Sequence, residues 1–252
     1  MDDVPVVPAT AGRPLPAPGR APAAPGPPGH AMPPVAEAAG RLLAQAGHAL
    51  ARHGLVTAFG HVSTRMDGTT WAITAPLPLG RLTPEAVQVL DLAAPDLGDG
   101  VPREAWIHRA IAHVRPDVGA VCRAQPPTAT ALAAAGVPVR PLHGQGAFLG
   151  PVVPVHDDPR LVREPDAAVR LAETLGAAPA VVMRGNGAVT VGGDVAEAVA
   201  LMWVLEQSAR LTATAAASGT PRPLDDDEQA AWRTVAPELL HRIWNYLNEE
   251  ES

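Results

Sequence analysis

Apolar positions along the chain alternate between a helical and a strand period. From Val35 to Arg52, Leu42, Leu43, Ala46, Ala49 and Leu50 recur at helical spacing, and Gly54 supplies a stop. The segments HVSTRM (61–66) and TWAITA (70–75) flank Asp67-Gly68 and predict a hairpin. Thr83-Pro84-Glu85 reads as a short turn with proline at its first position. VQVLDL (87–92) alternates as a strand, 104–114 is helical, and VGAVCRA (118–124) is a buried strand. A short helix over 127–135 ends at Gly136, and another over 166–175 ends at Gly176.

AVVMRG (180–185) and AVTVGG (188–193) are strands joined at Asn186-Gly187. Asp194 with Glu197 predicts a capping box opening a long helix to about residue 217. A last helix over 226–248 carries Trp232, Val235, Leu239, Leu240, Ile243 and Leu247 on one face, set off by Pro221 and Pro223. Strands and helices mixed in one unit predict a three-layer α/β/α domain with a mixed central sheet. The expected organisation is a disordered Pro/Ala-rich leader at 1–34, a domain at 35–220 and a terminal helical segment at 221–252. Eleven prolines among the first 34 residues support the leader.

Composition narrows the chemistry. The 252-residue chain has a net charge of −7 and no basic run, which argues against nucleic acid as a partner. One Cys permits neither an intrachain disulfide nor a cysteine-based zinc site. No long apolar stretch predicts a signal or membrane span, so a cytoplasmic location is expected. All 19 basic residues are Arg. Without Lys, Schiff-base aldolases, pyridoxal phosphate enzymes and P-loop phosphate binding are excluded.

Several segments together resemble the class II aldolase/adducin family. They are GLVTAFGHVSTR (54–65), WAIT with RLTPEAVQVLDL (81–92), PREAWIHRAIAHVRPDVGAV (102–121) and RGNGAVTVGGDVAEAVALMWVLEQSAR (184–210). The resemblance implies a mixed sheet covered on both faces, and tetramers with active sites between subunits. It also implies a metal site of a His-x-His on the strand after the catalytic helix, plus a third His in an Asn-His-Gly-like turn. The matching positions here are Arg123, Gln125 and Asn186. The family's Gly-Asn turn reads Gly60-His61, its phosphate turn Pro76-Leu77, and its catalytic Glu persists as Glu104. A phosphosugar aldolase and a metal-dependent epimerase are therefore not expected, nor is a metal or other cofactor. A constellation of His61, Glu104 and His143 stays open as an alternative metal site.

Strand alternation turns Arg123 and Gln125 to one face and Cys122 to the other. Arg123 places a permanent cation where the family keeps a divalent ion, able to clamp a carboxylate or stabilise an enolate oxygen. Glu104 and His61 are the candidate proton carriers. Gln125 and Asn186 add neutral donors and acceptors, and Tyr246 a phenol on the terminal helix. The competing reading is a retired pocket in which Arg123 and Glu104 merely neutralise each other. His108, one turn past Glu104, and Cys122 read as packing residues. The expected function is metal-independent lyase or isomerase chemistry on a small carbonyl or carboxylate compound: aldol-type cleavage, decarboxylation, dehydration or cyclisation. A place in specialised metabolite biosynthesis is expected with it. The alternatives are a non-catalytic interaction protein like the adducin head, and an iron-dependent oxygenase.

Overall fold

The structure is a computed structural model, which describes residues 34–249. The expected leader lies outside the described residues, apart from Pro34. Among these residues seven α-helices run α1 Pro34–Arg52, α2 Ala105–Val114, α3 Pro127–Ala134, α4 Pro165–Leu175, α5 Val195–Ser218, α6 Asp226–Arg233 and α7 Ala236–Asn248. Seven strands are β1 His61–Arg65, β2 Thr70–Thr74, β3 Val87–Asp91, β4 Ala120–Ala124, β5 Val155–His156, β6 Ala180–Met183 and β7 Gly187–Gly192. They form one sheet in the order β3-β2-β1-β4-β7-β6-β5. Every neighbouring pair is antiparallel except β5 with β6, so the sheet is mixed.

The two faces of the sheet hold separate apolar cores. On one, Val62, Ala120, Cys122, Ala124 and Ala188 pack with side chains of α1, α3, α5 and α7. On the other, Trp71, Ile73, Val121, Val189 and Val191 pack with side chains of α2 and α4. Alternation along β4 decides the division: Ala120, Cys122 and Ala124 go to the first core and Val121 to the second, which leaves Arg123 on the α2 side. The expected three-layer arrangement is therefore present.

Local chemistry sets the element ends. α1 closes where Gly54 (φ +69°) enters the left-handed region and Leu55 N–H donates to the Leu50 carbonyl. Asp67 organises the predicted hairpin by accepting from the backbone N–H groups of Thr69 and Thr70, both at 2.8 Å. Three details differ from expectation. At the start of α5, Asp194 accepts from Glu197 N–H, but the Glu197 carboxylate reaches back to Gly193 N–H rather than to Asp194. The reciprocal capping box sits at α6 instead, between Asp225 and Glu228. The terminal helix is two helices, interrupted at Thr234 and Val235, because Pro237 lacks an N–H and suits the first turn of a new helix. The two-residue β5 lies below the length at which a period can be recognised.

The β6–β7 turn carries Asn186 and depends on glycine. Asn186 N–H donates to the Met183 carbonyl at 2.9 Å. Gly187 follows at φ +87°, and a Cβ there would lie 2.2 Å from the Ala124 carbonyl oxygen at the end of β4. Gly187→Ala therefore combines an unfavourable conformation with a backbone collision. We expect a stability loss of about 2 kcal/mol or more, read as a lower urea midpoint. An unchanged midpoint would contradict this close approach.

Candidate active site

A small group of polar side chains interrupts the α2-side core. β1 and β4 pair with His61 opposite Arg123. Val62 belongs to the opposite core, so His61 and Ser63 face α2 together with Arg123. α2 brings two further groups. Glu104 is its N-cap residue, yet its side chain makes no capping hydrogen bond. His108 lies one turn on, along the buried line of Ile107, His108 and Ile111. Asn186 completes the group from the β6–β7 turn.

Arg123 is 1% exposed, and Glu104, His61, His108 and Asn186 are all buried. Arg123 Nη2 donates to Asn186 Oδ1 at 2.7 Å and to the Asn186 carbonyl at 3.3 Å. Since a guanidinium can only donate, this contact fixes the amide orientation and leaves Nδ2 as a donor facing elsewhere. Glu104 Oε1 stands 3.5 Å from Arg123 Nη2, close enough to pair electrostatically. Ser63 Oγ and His108 Nδ1 share a hydrogen bond of 2.7 Å. The His61 and His108 rings approach edge-to-face at 6.0 Å.

The group is conspicuous for what it leaves unpaired. Arg123 Nε and Nη1, Asn186 Nδ2, Glu104 Oε1, His61 Nδ1 and His108 Nε2 are all buried without a hydrogen-bond partner in the protein. Buried polar atoms are nearly always paired, because an unmade bond costs about 1–3 kcal/mol, more for a charged group. Six such atoms on five adjoining residues are poorly explained by a retired pocket. An ion pair kept only for stability would be hydrogen-bonded; this one is not.

Burial and the Arg123 charge fix the protonation of the histidines. Desolvation, then repulsion from Arg123, lowers the His61 pKa from its ordinary value to about 3. His108 is pushed well below its ordinary value by desolvation, then by His61 and Arg123. Both imidazoles are neutral at pH 7. The unfolded chain takes up protons at these histidines near pH 6.5 while the folded chain does not, so stability is full above that pH and falls as the pH drops toward 3. Burial likewise lowers His143 and His156. The depressed carboxylates Asp67 and Asp158 add losses only at lower pH. Between pH 6.5 and 4 the urea midpoint should decline with acid, and His61→Gln should flatten that decline. An unchanged slope in the variant would contradict a buried neutral His61.

The expected site residues are distributed as follows. His61, Glu104, Arg123 and Asn186 come together. Gln125 lies one residue beyond the end of β4, half-buried, with its backbone N–H donating to the Leu55 carbonyl. The alternation that was to align it with Arg123 does not extend that far. Tyr246 is half-exposed on α7, its ring near His53 and Trp203, on the far side of the sheet from Arg123. His143 bonds Ser208 of α5 at 2.9 Å and so does not join His61 and Glu104. His108, expected as a packing residue, is part of the group, as is Ser63. The signal was the i, i+4 spacing of Glu104 and His108, which places both on one helix face.

The donor set does not fit a divalent metal. A guanidinium and two carboxamides occupy 123, 125 and 186, and the buried Arg123 charge opposes a second cation. Among the described residues, no three His, Cys, Asp or Glu side chains converge to hold a metal ion. Nor, among them, is any helix long and apolar enough to cross a membrane.

Comparison with known proteins agrees with this architecture. A family model for the class II aldolase and adducin N-terminal domain matches residues 41–213. A 3,4-dihydroxyphthalate decarboxylase of Terrabacter sp. (strain DBF63) is 33% identical over 214 residues, 78% of this chain and 90% of that protein. The enzyme of the same name from Rhodococcus jostii (strain RHA1) is 30% identical over 224 residues, covering 81% and 89%. The crystal structure of L-fuculose-1-phosphate aldolase from Thermus thermophilus superposes with a TM-score of 0.62 at 31% identity, covering 69% of this chain and 92% of that one.

Proposed function

The chain belongs to the class II aldolase and adducin family and is a lyase-type enzyme, and from that premise we propose that it decarboxylates a hydroxylated aromatic carboxylic acid without a metal ion. The observation that carries this reading is the set of unpaired buried donors on Arg123 and Asn186. Acceptor-rich oxygens satisfy them, and a carboxylate or phenolate supplies such oxygens. The two decarboxylase relatives favour this reaction over aldol cleavage, dehydration or cyclisation, and over a purely interactive role.

In this mechanism Arg123 holds the substrate's anionic oxygens, with Asn186 beside it and Gln125 at the margin. Glu104, ionised beside Arg123, accepts the proton of the substrate's ring hydroxyl and passes it to the ring carbon bearing the scissile carboxylate. The carbon–carbon bond then breaks, its electron pair restores the ring, and CO2 leaves. Negative charge that develops on the ring oxygen is stabilised by the Arg123 guanidinium, in the place where the resemblance puts a divalent ion. One proton is consumed overall, taken from water by the product's ring oxygen, and Glu104 is left ionised as it began. His61 is neutral and acts as a hydrogen-bonding partner, not as a proton carrier. Ser63 orients the His108 ring by binding Nδ1.

The domain boundaries at 34 and 220, a homotetramer, a cytoplasmic location and a role in specialised biosynthesis are part of the same reading. Tyr246 reaches substrate only if a neighbouring subunit delivers it. To test the reaction class, purified protein is incubated with 3,4-dihydroxyphthalate and with hydroxybenzoates, and released CO2 is measured. Release that depends on active protein is expected. No release from any member of the set, with aldol cleavage of a sugar phosphate instead, would overturn the reading.

A further inference from the structure

The unpaired atoms are of two opposite kinds. Arg123 Nε, Arg123 Nη1 and Asn186 Nδ2 are donors with fixed identity. Glu104 Oε1, as a carboxylate oxygen, is an acceptor. The two kinds are neighbours: Oε1 lies 3.5 Å from Nη2 of the same guanidinium, whose Nε and Nη1 are the unpaired donors. A plain carboxylate ligand satisfies the donors but sets its own negative charge against Glu104. Both sides are satisfied by a ligand with an anionic acceptor and, on the neighbouring position of its skeleton, a hydroxyl donor. A hydroxyl one position further round a ring lies farther from the carboxylate, and so farther from a group that touches the guanidinium holding it.

We infer that Glu104 is a specificity residue that reads a hydroxyl on the carbon adjacent to the one carrying the bound carboxylate, so that the site selects ortho-hydroxy aromatic acids over their meta and para isomers. The inference deepens the proposed decarboxylation and rests on that reading for the placing of the carboxylate at Arg123. Burial strengthens the selection. An ortho ligand meets Glu104 Oε1, whereas a meta isomer leaves that charged oxygen unpaired in a buried site. The nearby neutral His61 and His108 add no charge to compete for the hydroxyl.

The test is binding, not turnover, so that it can fail separately from the reaction. The full chain is titrated calorimetrically with benzoate, 2-hydroxybenzoate and 3-hydroxybenzoate, and the series is repeated with Glu104→Gln and Glu104→Ala. A preference of about tenfold or more for 2-hydroxybenzoate over 3-hydroxybenzoate is expected. It should shrink in Glu104→Gln and vanish in Glu104→Ala. If Glu104→Ala does not fold, as judged by circular dichroism, the reduced preference of Glu104→Gln decides. Equal affinities for the isomers, or an unaltered preference in the variants, would overturn the inference while leaving the decarboxylase reading in place. A Glu104-dependent ortho preference in protein that releases no CO2 from any substrate would leave the inference standing and remove the reaction.

Discussion

Replacing Arg123 with methionine should lower kcat/KM for decarboxylation by about a thousandfold or more. Loss of one preorganised oxyanion donor typically costs about 10²–10³ in kcat, and Arg123 is proposed to bind the substrate anion as well. Arg123→Lys keeps the charge but loses the planar array that bonds Asn186 and faces Glu104, so it should recover only a small part. Stability separates this role from a structural one. Removing Arg123 alone leaves Glu104 buried without its ion-pair partner and should destabilise the fold. In Arg123→Met with Glu104→Gln, both charges are gone, and an incompletely bonded buried pair contributes little net stability. That double variant should unfold near the wild-type urea midpoint while remaining inactive. A large loss of stability in the double variant, with activity retained in Arg123→Met, would return the pair to a structural role.

Glu104→Gln should reduce kcat by about 10²–10⁴, the usual contribution of a positioned acid or base. The amide keeps the shape of the carboxylate but cannot take up a proton and pass it on. KM should rise by a smaller factor, in line with the weakened hydroxyl contact. The Glu104 side chain makes no capping bond to α2, so the helix does not depend on it for that purpose. Circular dichroism of the variant should match wild type. An active Glu104→Gln enzyme would move the proton-carrying role to another group.

The sequence conveyed the fold more fully than the site. The order of strands and helices was readable because long periodic segments such as 35–52 and 195–217 carry many repeats of one pattern, with Gly54 and Asp194 marking ends. β5 was not, since two residues hold no period. The break between α6 and α7 was missed because the apolar face continues across Val235, while Pro237 decides the interruption. Within the site, Arg123, Glu104, His61 and Asn186 could be assembled from the resemblance, and strand alternation alone put Arg123 opposite Cys122. Gln125 fell outside that logic because β4 ends at Ala124. His108 looked like a packing residue because it lies on the apolar face of α2. Its partner Ser63 is distant in sequence and meets it only after β1 has docked beneath the helix. No local signal marks a hydrogen bond between residues 45 positions apart.

In the proposed mechanism the buried guanidinium supplies the electrophilic pull that a divalent ion supplies elsewhere. The most direct measurement is the rate of CO2 release by protein stripped with chelator and checked for metal content, compared with the same protein after addition of zinc, iron, manganese or magnesium. The predicted result is full activity in the stripped protein, no gain from any ion, and loss in Arg123→Met. Activity that disappears on stripping and returns with one equivalent of a divalent ion per chain would contradict it.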